Sequence, residues 1–217
     1  MFIGHYALGF AAKRLAPRTS LGTLFAAPTL ADLLWPVFLL VGWEQARVVP
    51  GPNPFLNLWL DEIPVSHSLA ALIAWGLLFG YLYRTRTGYA RGAVVVGLLV
   101  VSHWVLDVIT LRPDLPLTPT GGPRLGLGLW SSLAGTLIVE FAIFTIGVWL
   151  YVRTTQPRDR IGSVALWTLV AFLAIVMVAN VFGPPPPSAT AVAWAAQAMW
   201  LLVVWGYWVD HHRRPRQ

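Results

Sequence analysis

Long apolar runs separated by short polar breaks dominate this chain. The runs cover about 21–43, 66–84, 90–110, 129–152, 161–182 and 189–209. Each is close to the roughly 20 residues that a helix, rising ~1.5 Å per residue, needs to cross the hydrocarbon core of a bilayer. An earlier apolar stretch, residues 2–12 (FIGHYALGFAA), is too short to cross and predicts a half-spanning or re-entrant segment. Proline and glycine punctuate the connections, as PGPNP at 50–54, RPDLPLTPTGGP at 112–123 and GPPPP at 183–187. The pattern predicts an all-α, polytopic integral membrane helix bundle. It has about six transmembrane helices plus the short N-terminal segment, all in one transmembrane domain over residues 1–217.

Composition strengthens this reading. Charged residues make up 11% of the chain, against about 25% in a soluble domain, so there is too little charge to cover a water-facing surface. The absence of cysteine excludes disulfides, thiolate zinc sites and a cysteine nucleophile. Lys13, Arg14 and Arg18 follow the first apolar stretch rather than precede it, which is not the layout of a cleavable signal peptide. With six alternating spans, twelve of the fifteen Lys and Arg fall on one side: Lys13, Arg14, Arg18, Arg84, Arg86, Arg91, Arg153, Arg158, Arg160, Arg213, Arg214 and Arg216. Arg47, Arg112 and Arg124 fall on the other. Short basic loops stay in the cytoplasm, so this split predicts a multi-pass protein of a bacterial-type inner (plasma) membrane with a cytoplasmic C-terminus. The net charge of +6 is thereby explained by orientation, and nucleic acid is not expected as a partner. Trp43, Trp59 and Trp149 read as interface anchors.

Ionisable groups inside a bilayer are costly, roughly 2.5–3.5 kcal/mol each on insertion scales, and so tend to mark sites. Here they share one depth, from the midplane to the outer surface: His5, Asp32, His67, His103, Asp107 and Glu140. His103 and Asp107 are four residues apart on one helical face, a spacing that can grip a cation. The residues expected as metal ligands are His67, His103 and Asp107, with His5 and Asp32 completing or orienting a catalytic centre. The mixed imidazole and carboxylate set suits a divalent metal, zinc or manganese, whose activated water attacks an ester or phosphoester. The depth points to membrane lipids as surroundings and to a lipid-borne or amphipathic substrate. Each group also has a structural reading, as a hydrogen bonder between helices or a neutralised pair. Glu140 in particular could bond a neighbouring helix. A small transporter or ion-coupled permease could use the same His and Asp groups, and a scaffold protein would need none of them. Serine hydrolysis is disfavoured: Ser66 and Ser102 each precede a histidine, and neighbours on a helix point about 100° apart. No G-x-S-x-G elbow and no phosphate-binding glycine loop is present.

Four places resemble the YdjM-like inner-membrane proteins: Gly4-His5, Pro28–Pro36 (PTLADLLWP) with Asp32, Ser66-His67-Ser68, and Ser102-His103-x-x-x-Asp107 followed by Thr110 and Pro113. Proteins of this kind are described as membrane-bound metal-dependent hydrolases, and the resemblance implies that activity for this chain. It covers roughly the first 120 residues, dividing the domain into a motif-bearing region, 1–125, and a three-helix extension, 126–217. Glu62, five positions before His67, stands where the family pattern has a histidine and could still bind a cation.

Overall fold

The computed structural model describes residues 1–51 and 53–216. The long helices are α4 (Leu69–Thr87), α5 (Ala90–Thr110), α6 (Leu133–Thr154) and α7 (Arg160–Phe182). The shorter ones are α1 (Ile3–Ala12), α2 (Leu21–Ala26), α3 (Leu30–Leu40), α8 (Ala189–Ala196) and α9 (Met199–His211). Four helical stretches are long and apolar enough to cross a membrane: α5, α6, α7, and α8 with α9 taken together. The protein is thus mostly helical, with four candidate membrane-spanning stretches among the described residues.

The expected span at 21–43 is two helices. Pro28 has no N–H to continue the helical ladder, so α2 stops at Ala26 and α3 begins at Leu30. The Thr29 amide and hydroxyl both donate to the Phe25 carbonyl, at 3.3 and 2.7 Å. The span expected at 66–84 starts later, at Leu69, because Ser68 caps α4 by accepting the Ala71 N–H. Residues 66–68 are therefore loop. Gly88, with φ of +67°, ends α4 in the left-handed conformation and turns the chain into α5.

Small antiparallel hairpins also occur, which apolar run length could not predict. β1 (Gln45–Val48) pairs with β2 (Leu58–Glu62), and β3 (Leu115–Thr118) with β4 (Gly121–Leu125). At the opposite end β5 (Thr155–Pro157) pairs with β6 (Arg213–Pro215).

Helix α1 lies at the centre. Ile3, Tyr6 and Phe10 pack with Phe25 of α2, Phe144 and Tyr151 of α6 and Leu166 and Leu169 of α7. A second core joins Ala31 and Trp35 of α3 to Leu72 of α4 and to Val96, Val100 and Trp104 of α5. Two glycines let α1 approach its neighbours backbone to backbone. A Cβ at Gly9 would lie 2.5 Å from the Leu24 carbonyl oxygen, and one at Gly147 would collide with that of Ala7. Outward from these cores, Leu77, Ile138, Ile175 and Leu201 are each about 65–71% exposed. Large apolar side chains in such numbers on the outside match a lipid-facing surface.

Candidate metal centre

The polar groups are delivered by different elements. Asp32 sits in the first turn of α3. His67 lies in the loop before α4, and His103 and Asp107 face inward from the last two turns of α5. His5 comes from the first turns of α1. All five meet. His103 Nε2 is 3.1 Å from Asp107 Oδ2 and 3.8 Å from Asp32 Oδ1. His67 Nε2 is 3.5 Å from Asp32 Oδ1 and 4.0 Å from Asp107 Oδ2. His67 Nε2 and His103 Nε2 thus each lie 3.1–4.0 Å from both Asp32 Oδ1 and Asp107 Oδ2. A tetrahedral centre with bonds of ~2.0–2.2 Å spaces its ligand atoms by roughly 3.3–3.6 Å, so these four imidazole–carboxylate distances are close to those of a metal's ligand set.

His5 plays a different part. Its Nε2 is 3.1 Å from Asp107 Oδ1, the oxygen turned away from the four-atom cluster, and the Met1 amino group donates to the same oxygen at 2.5 Å. The His5 ring stacks on His103 with centroids 4.0 Å apart. Two sets of three could each hold an ion, His5–His103–Asp107 and Asp32–His67–His103. They share His103, whose other nitrogen, Nδ1, donates to the Pro28 carbonyl at 2.8 Å. Only Nε2 remains, so the two sets compete for it and cannot both hold an ion at once.

The break before α3 thus serves the site by aiming the Pro28 carbonyl at His103. A carbonyl only accepts, so Nδ1 carries hydrogen and Nε2 is left for the cluster. His103 Nε2 is fully buried and has no hydrogen-bond partner, although Asp107 Oδ2 is close, because the alignment for a hydrogen bond is lacking. A buried polar atom left in that condition is costly unless something else engages it.

A cavity of about 200 Å³ opens on the cluster, with Asp32, His67 and Asp107 on its floor and Trp35, Leu58, Leu111, Trp130 and Met199 among its walls. The Asp32 side chain is 30% exposed toward it, whereas those of His67, His103 and Asp107 are nearly or fully buried. Glu140 does not join the ligand cluster. Its Oε2 accepts the N–H groups of Phe2 and Gly4 at 2.9 and 3.2 Å, so it ties down the free amide end of α1. Glu62 is exposed at the end of β2, paired in register with Gln45, and takes no part in the cluster.

The expected separation of Ser66 from His67 is overturned. Because both lie in the loop before α4, the helical 100° argument does not apply, and Ser66 Oγ is 2.6 Å from His67 Nδ1. Ser66 also bonds Glu44, its hydroxyl donating to Oε2 at 2.5 Å, while Glu44 Oε1 accepts the amides of Val65 and Ser66, both at 2.8 Å. Ser66 is wholly buried, a poor position for a nucleophile. Reasoning from the apolar runs missed Glu44, which stands in the polar break after the first run; its near-complete burial is a tertiary fact.

The sequence model of the YdjM inner membrane protein family matches residues 64–185, more than half of the chain. The chain belongs to that family. The match takes in Ser66-His67-Ser68 and His103–Asp107 and continues through α6 and α7, further than the first 120 residues over which the resemblance was read. Gly4-His5 and Pro28–Pro36 lie outside the matched range. No curated protein and no solved structure matches. For this YdjM family member, then, the site must be argued from its own residues.

Proposed function

We propose that this YdjM family protein is a membrane-embedded metal-dependent hydrolase acting on an amphipathic ester or phosphoester. The observation that carries the reading is the approach of His67 Nε2 and His103 Nε2 to both Asp32 Oδ1 and Asp107 Oδ2, within 3.1–4.0 Å, beside an apolar cavity. His67, His103 and Asp107 would hold the ion, and two imidazoles with a carboxylate suit zinc or manganese. Such an ion supplies Lewis-acid activation of water and of the substrate oxygen. Asp32, the most exposed of the cluster members that line the cavity, accepts the proton of the attacking water or closes the ligand set. His5 holds Asp107 through its second oxygen and so orients it. The apolar walls exclude bulk water and receive the alkyl part of the substrate. The volume, below the ~300–1,000 Å³ of drug-sized pockets, suits a small headgroup rather than a large soluble substrate. The basic end of the molecule is assigned to the cytoplasm, which puts the site in the outer half of the inner membrane.

Elemental analysis of detergent-purified protein tests the first link. About one zinc or manganese per chain is expected in the wild type, and its loss in His103→Ala and Asp107→Ala. Equal metal content in all three, or none after reconstitution, removes the hydrolase reading. A second reading, ion-coupled transport, draws on the breaks between α2 and α3 and between α8 and α9, since transporters place sites at broken helices. Substrate-free proteoliposomes that pass zinc or protons only with Asp32 intact would favour it.

A further inference from the structure

We propose that Glu44 is a positioning residue that, acting through Ser66, sets which nitrogen of His67 is bare and turned to the site. The proposal bears on the metal-centre reading above, but its own evidence is a hydrogen-bond chain. Glu44 follows α3 and is 1% exposed. Its carboxylate accepts three hydrogen bonds. Oε1 accepts two backbone amides, Val65 and Ser66, which a loop this deeply placed would otherwise leave unpaired. Oε2 accepts the Ser66 hydroxyl. Ser66 Oγ then meets His67 Nδ1.

The polarity of the chain follows from counting hydrogens. A carboxylate offers none, and a hydroxyl offers one. With the Ser66 hydrogen committed to Glu44, Oγ can only accept from His67. Nδ1 therefore carries the hydrogen, and the ring presents a bare Nε2 toward Asp32 Oδ1 and Asp107 Oδ2. His103 reaches the same state through the Pro28 carbonyl. The two devices differ in one respect: a carbonyl cannot reverse its role, whereas a hydroxyl can.

Glu44→Gln exploits that difference while keeping the shape. The amide oxygen accepts the Val65 and Ser66 amides as before, and the new NH₂ donates to Ser66 Oγ. The Ser66 hydrogen is then free to point at His67 Nδ1, which becomes the acceptor, and the ring hydrogen moves to Nε2. A nitrogen carrying hydrogen cannot bind a metal ion.

The experiment is ¹⁵N NMR of the full chain in micelles, metal-free, with labelled imidazoles and the His67 signal assigned by its loss in His67→Gln. The wild type is expected to show His67 with hydrogen on Nδ1, and Glu44→Gln with hydrogen on Nε2, while His103 keeps Nδ1–H in both as the internal control of folding. Zinc titration should show affinity weakened about 10–100-fold in Glu44→Gln, the usual effect of losing an orienting partner. Ser66→Ala, which keeps the backbone contacts of Glu44, should leave His67 in a mixture of both tautomers. His67 retaining hydrogen on Nδ1 in Glu44→Gln with His103 unchanged, or holding one fixed tautomer in Ser66→Ala, overturns the proposal. If the tautomer flips as expected but the wild type takes up no zinc, the positioning role stands and the metal-centre reading falls.

Discussion

A buried carboxylate must find donors, and Glu140 finds them on another helix. Glu140→Ala leaves the Phe2 and Gly4 amides without an acceptor, a loss of about 1–3 kcal/mol. Glu140→Gln keeps an accepting oxygen and should lose less; thermal unfolding of the two variants in one detergent compares them directly. Asp159 offers a contrast outside the spans. The hydrogen bond from His212, at 2.7 Å, and then the Gly162 amide hold its carboxyl below its ordinary value. A depressed carboxyl contributes stability above its unfolded value, and that contribution is lost as pH falls through the folded one. Protection factors of the amides in the first turn of α7 should therefore fall in acid, and Asp159→Asn should flatten the response. At this scale the sequence was informative about residue type: five of the six ionisable residues it singles out are neighbours in space. The route by which His67 is oriented was hidden, since the rule about helical neighbours holds only inside a helix and α4 starts two residues later.

Run length is a good guide to helices that cross without interruption, and α5, α6 and α7 fall close to their expected bounds. It fails where one proline intervenes. Residues 21–43 hold enough apolar side chains for a span, yet Pro28 divides them, and the division is what lets a main-chain carbonyl reach His103. The short first segment was legible as too short to cross, but its central place was not, because glycine contacts depend on which helices become neighbours. Gly147→Ala would push a methyl into the Ala7 carbonyl, where backbone rather than a flexible side chain must yield. Overpacking of this kind costs about 1–3 kcal/mol, and zinc uptake should fall with it as α1 shifts His5. The other end of α1 is held by Lys13, whose Nζ donates to Asp210 Oδ2 at 2.6 Å, with Tyr151 donating to the second oxygen. Lys13→Met strands a buried charge and should destabilise by about 3–5 kcal/mol. Chemical unfolding should show part of that recovered when Asp210→Leu is added.

Across the whole molecule, charge and site are segregated. The basic loops gather at one end: Lys13 meets Asp210, Arg18 lies over Tyr89, and Arg213 donates to the Gly162 carbonyl. The metal-type cluster and the β1–β2 and β3–β4 hairpins lie toward the other. The proposed orientation predicts that, in a chain free of native cysteine, Thr120→Cys is labelled from outside intact cells by an impermeant maleimide, whereas Thr87→Cys reacts only after lysis. The opposite pattern would turn the site to the cytoplasm.

Helix α1 also constrains how the protein can be made. Its ten residues extend ~15 Å, about half the hydrocarbon core. Its amide end is secured by Glu140 and its other end by Asp210, both synthesised long after it. The earlier-made segment is therefore the later-locked one. The two ties that hold it are completed only once α6 and α9 have been made.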